Sequence, residues 1–297
     1  MQLCLKVDVD TLRGTLEGVP ALVRLFDRYQ VRGSFLFSLG PDHTGRALRR
    51  VFRPGFFGKV QRTSVVSHYG IRTLLYGTLL PGPDIGRKGR AAMRAVAEAG
   101  HEVGVHAWDH VRWQDFVTRR DEAWTVREFD AAMAAFVAVF GQRARTCGAA
   151  GWQLNRFVPQ LEQAAGLDYA SDCRGTHPFM PAGGGCPQLP TTLPTLDELL
   201  GADGWNESNV HQRLLRDTEA GSDTGHVFTL HAEMEGMKLM PVLQRLLDAW
   251  RAQGYQLGPT EALFASLDPA ALPRHEILQG TVPGRSGELA VQGPAVA

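Results

Sequence analysis

The stretch AGHEVGVHAWDH, residues 99–110, decides the fold prediction. It places two histidines, His106 and His110, four residues apart directly after a short apolar run that follows a glycine. Such a run indicates a buried β-strand, and four residues make about one helical turn, so both imidazoles can face one point if a turn follows the strand. Two imidazoles fill half of a tetrahedral metal site, and the other ligands must come from elsewhere. Taken alone, the pair is equally consistent with a metal site and with one buried core histidine beside one surface histidine.

A regular alternation extends from this stretch in both directions. Residues 3–10 (LCLKVDVD), 33–40 (GSFLFSLG) and 226–233 (HVFTLHAE) are predicted as further strands. Helices are predicted between the strands, including one that ends at Gly100 and one that ends at Gly141. This alternation predicts an α/β fold with parallel strands, closed or nearly closed as a barrel.

The composition is that of an ordinary globular protein. The 297 residues carry no formal net charge, and the four cysteines form no CxxC pair, which predicts reduced thiols. The chain begins in a strand-like alternation unlike a signal peptide, and it has no apolar run of about 18 residues. We expect one domain over residues 1–265. Residues 270–297 are rich in Gly and Pro and predict a flexible tail.

One segment, residues 46–90, interrupts the alternation. It holds ten Lys or Arg residues and one acidic residue, Asp84, among apolar side chains that include Phe56 and Phe57. Basic side chains are attracted to anionic lipid head groups, while apolar ones enter the acyl boundary. The segment therefore predicts docking on an anionic membrane surface, with a solvated basic insertion as the alternative. Because no nucleic-acid-binding motif accompanies the charge, nucleic acid is not predicted as a partner.

Two aspartates, Asp8 and Asp10, alternate along the first strand and therefore point to the same face. Adjacent carboxylates repel each other unless a cation or a shared proton joins them. In parallel α/β folds, sites form at the C-terminal ends of strands. One of the two aspartates therefore completes a metal site with His106 and His110, and the other is free to deprotonate water.

A third histidine, His231, ends another predicted strand, and Asp172 follows a different strand in YASDCRG, residues 169–175. A carboxylate that is hydrogen-bonded to a histidine fixes the tautomer and raises the basicity of the ring. The pair would suit protonation of a leaving amine. Glu233 and Glu235 stay open as alternatives for this work.

In order and spacing, the motifs DVD, HAWDH, SD and LH resemble those of the NodB-type polysaccharide deacetylases. The resemblance implies a distorted, incomplete (β/α) barrel in which Asp8 is the catalytic base. It implies that Asp172 orients His231, the catalytic acid. It also implies one divalent metal ion, with Zn²⁺ favoured over Mn²⁺ or Co²⁺. The implied metal ligands are Asp10, His106 and His110.

Longer stretches, including FSLGPDHTGRALRR (residues 37–50), look like one branch of this superfamily, the 4-deoxy-4-formamido-L-arabinose-phosphoundecaprenol deformylases of lipid A modification. The branch implies metal-dependent hydrolysis of an undecaprenyl-phosphate-linked formamido sugar to formate and the amino sugar lipid that serves polymyxin resistance. It implies a peripheral location on the cytoplasmic face of the bacterial inner membrane. The alternative enzyme is an N-deacetylase for another aminosugar or lipid-linked sugar. The alternative outside enzymes is a sugar-lipid-binding protein without catalysis.

Two positions depart from the superfamily pattern. Ala107 stands where Ser or Thr usually follows the first metal-binding histidine. The arginine that pairs with the base aspartate has no counterpart in register, because Arg145 lies two residues early in RTCGAAGW and Arg174 is only a second candidate. The partner of Asp8 is therefore unassigned by the sequence.

Overall fold

Ten strands and ten α-helices fall within the residues that the computed structural model describes, 1–47 and 70–296. The strands are β1 (Gln2–Val9), β2 (Ser34–Ser38), β3 (Glu102–Ala107), β4 (Thr146–Cys147), β5 (Tyr169–Ala170), β6 (Met180–Pro181), β7 (His226–His231), β8 (Gln256–Gly258), β9 (Arg274–Thr281) and β10 (Glu288–Val296). The α-helices are Val19–Arg28, Ile71–Leu75, Ile85–Glu98, His110–Phe116, Glu122–Phe140, Val158–Ala164, Leu196–Leu199, Val210–Asp217, Met240–Ala252 and Thr260–Ala265. A π-helical turn spans Gly14–Gly18, and short 3₁₀ turns span Val117–Arg119, Ala150–Trp152 and Pro269–Ala271.

The main sheet is parallel and open. Six strands follow one another in the order β5-β4-β3-β2-β1-β7, and β8 pairs with β1. Within the described residues β5 and β7 do not pair with each other, so the sheet stops short of a closed barrel. The predicted α/β class and the incomplete barrel are confirmed.

The central strand β1 is buried on both faces. Leu5 and Val7 belong to the main apolar core, whereas Lys6 and Asp8 alternate with them on the opposite face and are also buried. Burial of charged side chains is costly unless they are paired or bind an ion. The face that carries Lys6 and Asp8 is therefore the face on which a functional site is expected.

The helix ends follow from local chemistry. Asp84, Asp109 and Asp121 each accept a hydrogen bond from the backbone N–H three residues later and so begin a helix. The longest helix, Glu122–Phe140, ends at Gly141, which adopts the left-handed φ of 74° that favours glycine. The predicted end at Gly141 is confirmed, and it places β4 beside β3.

The C-terminal residues form a second sheet, so the prediction of a flexible tail over 270–297 is wrong for the described residues. Strands β9 and β10 pair in an antiparallel hairpin, and β9 also pairs with β6. Leu289 and Ala290 are buried, and Ala290 O accepts a hydrogen bond from the Arg174 N–H. The domain therefore extends beyond residue 265. The high Gly and Pro content predicted a mobile segment, but the two strands are held mainly by their backbone pairing.

The segment 46–90 is described only in part, and residues 48–69, which include Phe56 and Phe57, lie outside the described residues. Residues 85–90 belong to the helix Ile85–Glu98, whose Ile85 side chain lies in the core, so the insertion ends earlier than predicted. Between residues 70 and 82 two large apolar side chains are mostly exposed, Ile71 by 70% and Leu79 by 80%. Every helix in the described part of the chain is too short or too polar to span a bilayer.

Candidate metal and catalytic site

Three predicted ligands converge at the C-terminal ends of β1 and β3. Asp10 follows β1, His106 lies within β3, and His110 opens the next helix after the turn formed by Trp108 and Asp109. Asp10 Oδ1 lies 3.3 Å from His106 Nε2 and 3.4 Å from His110 Nε2. The turn after β3 therefore brings the two imidazoles to one carboxylate, as the four-residue spacing predicts.

The spacing of these atoms fits a divalent metal ion. Two ligand atoms, each about 2.0–2.1 Å from a tetrahedral zinc ion, lie about 3.3–3.4 Å apart. One ligand atom from each of Asp10, His106 and His110 lies within 4.8 Å of the other two. Asp10 Oδ1 is buried and makes no hydrogen bond within the described residues. A buried carboxylate oxygen that faces two imidazole nitrogens fits the donor set of a divalent cation.

The protein fixes the tautomer of His106. Its Nδ1–H donates to Gly148 O at 2.7 Å, which leaves Nε2 with a lone pair toward Asp10 and His110. Burial alone would raise the pKa of Asp10, but the His110 imidazole and then the contact with His106 lower that pKa on balance. The carboxylate is thus ionised where a ligand must be.

The predicted base, Asp8, lies on the same face of β1. Its side chain is buried, and Asp8 pairs in register with His231 of β7. Asp8 Oδ1 lies 3.6 Å from Lys6 Nζ and 3.9 Å from His106 Nδ1, and it makes no hydrogen bond within the described residues. Asp8 therefore lies beside His106, one of the three converging residues, and faces the Lys6 ammonium group.

The structure does not bring Asp172 to His231 as the resemblance implies. Asp172 Oδ1 accepts a hydrogen bond of 2.6 Å from the Ala149 N–H, and Oδ2 accepts one of 3.2 Å from Gln188 Nε2. His231 Nδ1 is buried and makes no hydrogen bond within residues 1–47 and 70–296. Asp172 instead contacts the loop beside the site. It accepts a hydrogen bond from the Ala149 N–H, and the preceding residue, Gly148, accepts the hydrogen bond from His106 Nδ1.

Two buried glutamates, Glu233 and Glu235, follow β7, and both hydrogen-bond to the backbone of the site. Glu235 Oε2 accepts a hydrogen bond of 2.8 Å from the His231 N–H, and Glu233 Oε1 accepts from the backbone N–H groups of Asp10 and Thr11. Burial, and then the charge of Asp10, raises the pKa of Glu233 to about 8. Burial raises the pKa of Glu235 to about 7, although the His231 charge acts against it. Through these hydrogen bonds, Glu233 fixes the backbone at Asp10 and Glu235 fixes the backbone at His231.

Within the described residues neither arginine candidate forms an ion pair with Asp8. Arg145 forms a surface ion pair with Asp168 at 2.6 Å, and Arg174 pairs with Glu198. The cation beside Asp8 is Lys6, which the sequence analysis overlooked. The signal was present, because Lys6 precedes Asp8 by two residues and must share its face of the strand.

The comparisons with known proteins agree with this geometry. Residues 13–170 match the family model described as polysaccharide deacetylase. A Shewanella sediminis (strain HAW-EB3) protein, named a probable 4-deoxy-4-formamido-L-arabinose-phosphoundecaprenol deformylase, is 36% identical over 98% of this chain and 95% of its own. A Wigglesworthia glossinidia brevipalpis protein of the same name is 30% identical over 94% of this chain and 98% of its own.

Among solved structures, a protein described as a polysaccharide deacetylase from Mycobacterium smegmatis shares the fold. Its TM-score is 0.63 at 16% identity, with 95% of this chain and 94% of that chain covered. An allantoinase shares the fold with a TM-score of 0.60 at 12% identity, over 89% of each chain. The fold, the converging aspartate and histidines, and the full-length relatives lead to one assignment. This chain belongs to the polysaccharide deacetylase family, in the branch of the 4-deoxy-4-formamido-L-arabinose-phosphoundecaprenol deformylases.

Proposed function

We propose that this protein hydrolyses the formamide of undecaprenyl-phosphate-linked 4-deoxy-4-formamido-L-arabinose to formate and the corresponding 4-amino-4-deoxy sugar lipid, a step in lipid A modification and polymyxin resistance. The observation that carries the proposal is the similarity over nearly the whole chain to a deformylase so named, at 36% identity. The convergence of Asp10, His106 and His110 supports it, because hydrolysis of an unactivated amide needs strong electrophilic assistance.

Asp10, His106 and His110 would hold the divalent ion, which we propose is Zn²⁺, with Mn²⁺ or Co²⁺ as alternatives for the same ligands. When bound, such an ion acts as a Lewis acid on the formyl carbonyl and makes water a stronger nucleophile at neutral pH. The proton transfers are carried out by side chains of the protein. The buried Asp8 carboxylate takes a proton from the attacking water.

His231 supplies the second proton transfer. It lies opposite Asp8 in the register of β1 and β7, so the two side chains flank one space at the strand ends. Its imidazole gives a proton to the sugar nitrogen as the C–N bond breaks, which lets the amine leave. Glu235 fixes the backbone of His231, and Asp172 fixes the loop that holds His106.

The direct test supplies the purified protein with the lipid-linked formamido sugar and with its acetamido counterpart, and follows formate, acetate and the free amine. We expect formate and amine in equal amounts from the first substrate and a much slower reaction of the second. Preferential release of acetate would instead make the protein an N-deacetylase. Binding of the sugar lipid without any hydrolysis would support a non-catalytic sugar-lipid-binding protein.

We also propose that the part of the basic segment that precedes the helix Ile85–Glu98, residues 46–84, docks the protein on an anionic membrane surface on the cytoplasmic side. Its described end lies beside the site, because Gly77 and Gly82 pack against His43, whose Nδ1 contacts Asp109 Oδ2 at 2.6 Å. The exposed Ile71 and Leu79 are apolar groups suited to enter the acyl boundary at this rim.

Binding to liposomes tests this docking. It should require anionic lipid and weaken with salt, because charges more than about 10 Å apart are screened at ordinary ionic strength. It should weaken further in the variant Ile71→Ser/Leu79→Ser, whereas the same variant should turn over a short-chain soluble substrate normally. Equal effects on lipid-linked and soluble substrates would mean that the segment does not act at the membrane.

A further inference from the structure

The side chain of Lys6 is an unusual occupant of a protein interior. Lys6 lies in the central strand β1 with no exposed surface, and its Nζ atom donates a hydrogen bond of 2.9 Å to Ser171 O. The carboxylate at ion-pair distance is Asp8, whose Oδ1 lies 3.6 Å from Nζ. A buried ammonium group needs a carboxylate partner because its removal from water costs several kcal/mol. The pair therefore accounts for both buried charges.

The surroundings of Lys6 are shaped to admit this side chain. A Cβ atom built on Gly148 would lie only 3.1 Å from both Cε and Nζ of Lys6. Nζ lies 5.6 Å from the centre of the Trp152 ring, whose face attracts a cation. Gly148 also accepts the hydrogen bond of His106, so one residue both clears the path of Lys6 and orients a proposed ligand.

We infer that Lys6 is the positioning residue of the base. It holds the Asp8 carboxylate on the β1 side of the site, away from the proposed metal ligands, a role that neither Arg145 nor Arg174 fills because each pairs with another carboxylate. The inference rests on the proposed function, because it assigns a partner to the base of that reaction. Lys6 and Asp8 lie on one face of β1, and Asp10 follows two residues later, directly after the strand. Asp8 thus has an ammonium group on one side and the residues of the proposed metal site on the other.

This arrangement separates two carboxylates of the same chemical type. Without a partner, Asp8 would be free to turn toward a cation held by Asp10, and a second carboxylate ligand would no longer accept a proton from water. The Lys6 ammonium group gives Asp8 a fixed counter-charge on the opposite side. The same strand therefore provides a ligand, a base and the cation that keeps the two distinct.

The pairing is tested by unfolding of the metal-free protein in urea. Lys6→Met alone leaves the buried Asp8 carboxylate without its cation, whereas Lys6→Met/Asp8→Asn removes both charges. We expect the double variant to unfold at a higher urea concentration than Lys6→Met. Arg145→Met, which removes a cation from an exposed pair, serves as the matched control and should shift the midpoint little. A double variant no more stable than Lys6→Met would overturn the pairing.

The positioning role is tested by a kinetic cycle with the metal content of each variant measured. Lys6→Met should lower kcat by about 10- to 100-fold, as for other groups that orient an active-site residue, with KM and metal content nearly unchanged. The loss should not add to that of Asp8→Asn, so the double variant should match Asp8→Asn within about threefold. Losses that multiply, or a wild-type kcat for Lys6→Met, would overturn the role.

A second variant and the urea experiment distinguish a failure of the Lys6 inference from a failure of the proposed function. If Lys6→Met does not fold, Lys6→Arg carries the kinetic arm: it retains the cation and should keep kcat within about tenfold of the wild-type value, and a loss equal to that of Asp8→Asn would overturn the role. If Asp8→Asn itself keeps full turnover, the proposed base is wrong, and the urea result still decides whether Lys6 and Asp8 are paired.

Discussion

Replacement of His110 by alanine should weaken Zn²⁺ binding by about 100- to 1,000-fold. Structural zinc sites bind with apparent free energies of about 10–16 kcal/mol, or about 2.5–4 kcal/mol for each of four ligands. Each 1.4 kcal/mol is about tenfold in the dissociation constant. The structure makes His110 the cleanest ligand to remove, because its side chain is 16% exposed and lies at a helix start, whereas His106 is buried within β3.

The dissociation constant is measured by competition with a chelating fluorophore at neutral pH. The matched control is His177→Ala, which removes an imidazole whose ring nitrogens contact Thr176, His275 and Gln292 instead of the three converging residues. The control should bind Zn²⁺ like the wild type. A dissociation constant for His110→Ala within about threefold of the wild-type value, less than about 1 kcal/mol, would refute the assignment of His110 as a ligand.

Three further predictions concern catalysis, stability and pH. His231→Ala should lower kcat by about two to four orders of magnitude while the metal content stays unchanged, and near-normal turnover would remove His231 from the mechanism. Arg174→Met removes one of the two arginines that pair with the buried Glu198, the other being Arg285, and should lower the free energy of unfolding by about 1.5–3 kcal/mol. Arg145→Met should cost less than about 1 kcal/mol, and equal urea midpoints for the two variants would contradict this. Burial, and then the nearby Arg32, lowers the pKa of His101 to about 4, below its ordinary value near 6.5. Since the unfolded chain binds this proton first, stability should fall as the pH drops from about 6.5 to about 4. The fall should be shallower in His101→Gln, and an identical pH profile of that variant would exclude His101 as its source.

Periodicity was sufficient to predict the fold class and a site that joins His106 and His110 to one of two aspartates, whereas the choice of Asp10 over Asp8 came from the family resemblance. The two-residue period of β1 put Asp8 and Asp10 on one face, and the turn after β3 brought His106 and His110 to Asp10. These relations depend on neighbours along the chain and on the fact that sites form at the C-terminal ends of parallel strands.

The errors concern contacts between segments distant in the sequence. No local pattern shows that Asp172 bonds to Ala149 and Gln188 rather than to His231, because the loop positions depend on packing of the whole sheet. The spacing of two residues places Lys6 on the same face as Asp8, but a lysine in a strand is ordinarily a surface residue, and its complete burial is visible only in the structure. The C-terminal hairpin was not predicted because its Gly and Pro content is typical of a mobile tail and its strands show no clear alternation of buried and exposed residues.

We expect this chain to be a metal-dependent deformylase whose site is built on Asp10, His106 and His110. The most direct test measures formate released from the lipid-linked formamido sugar by wild-type protein and by Asp10→Ala. Each protein is treated with a chelator and then reloaded with Zn²⁺. We expect the chelator to stop formate release by the wild type, reloading to restore it, and Asp10→Ala to stay inactive in both states. Undiminished formate release by the chelated wild type, or full activity of reloaded Asp10→Ala, would contradict the account.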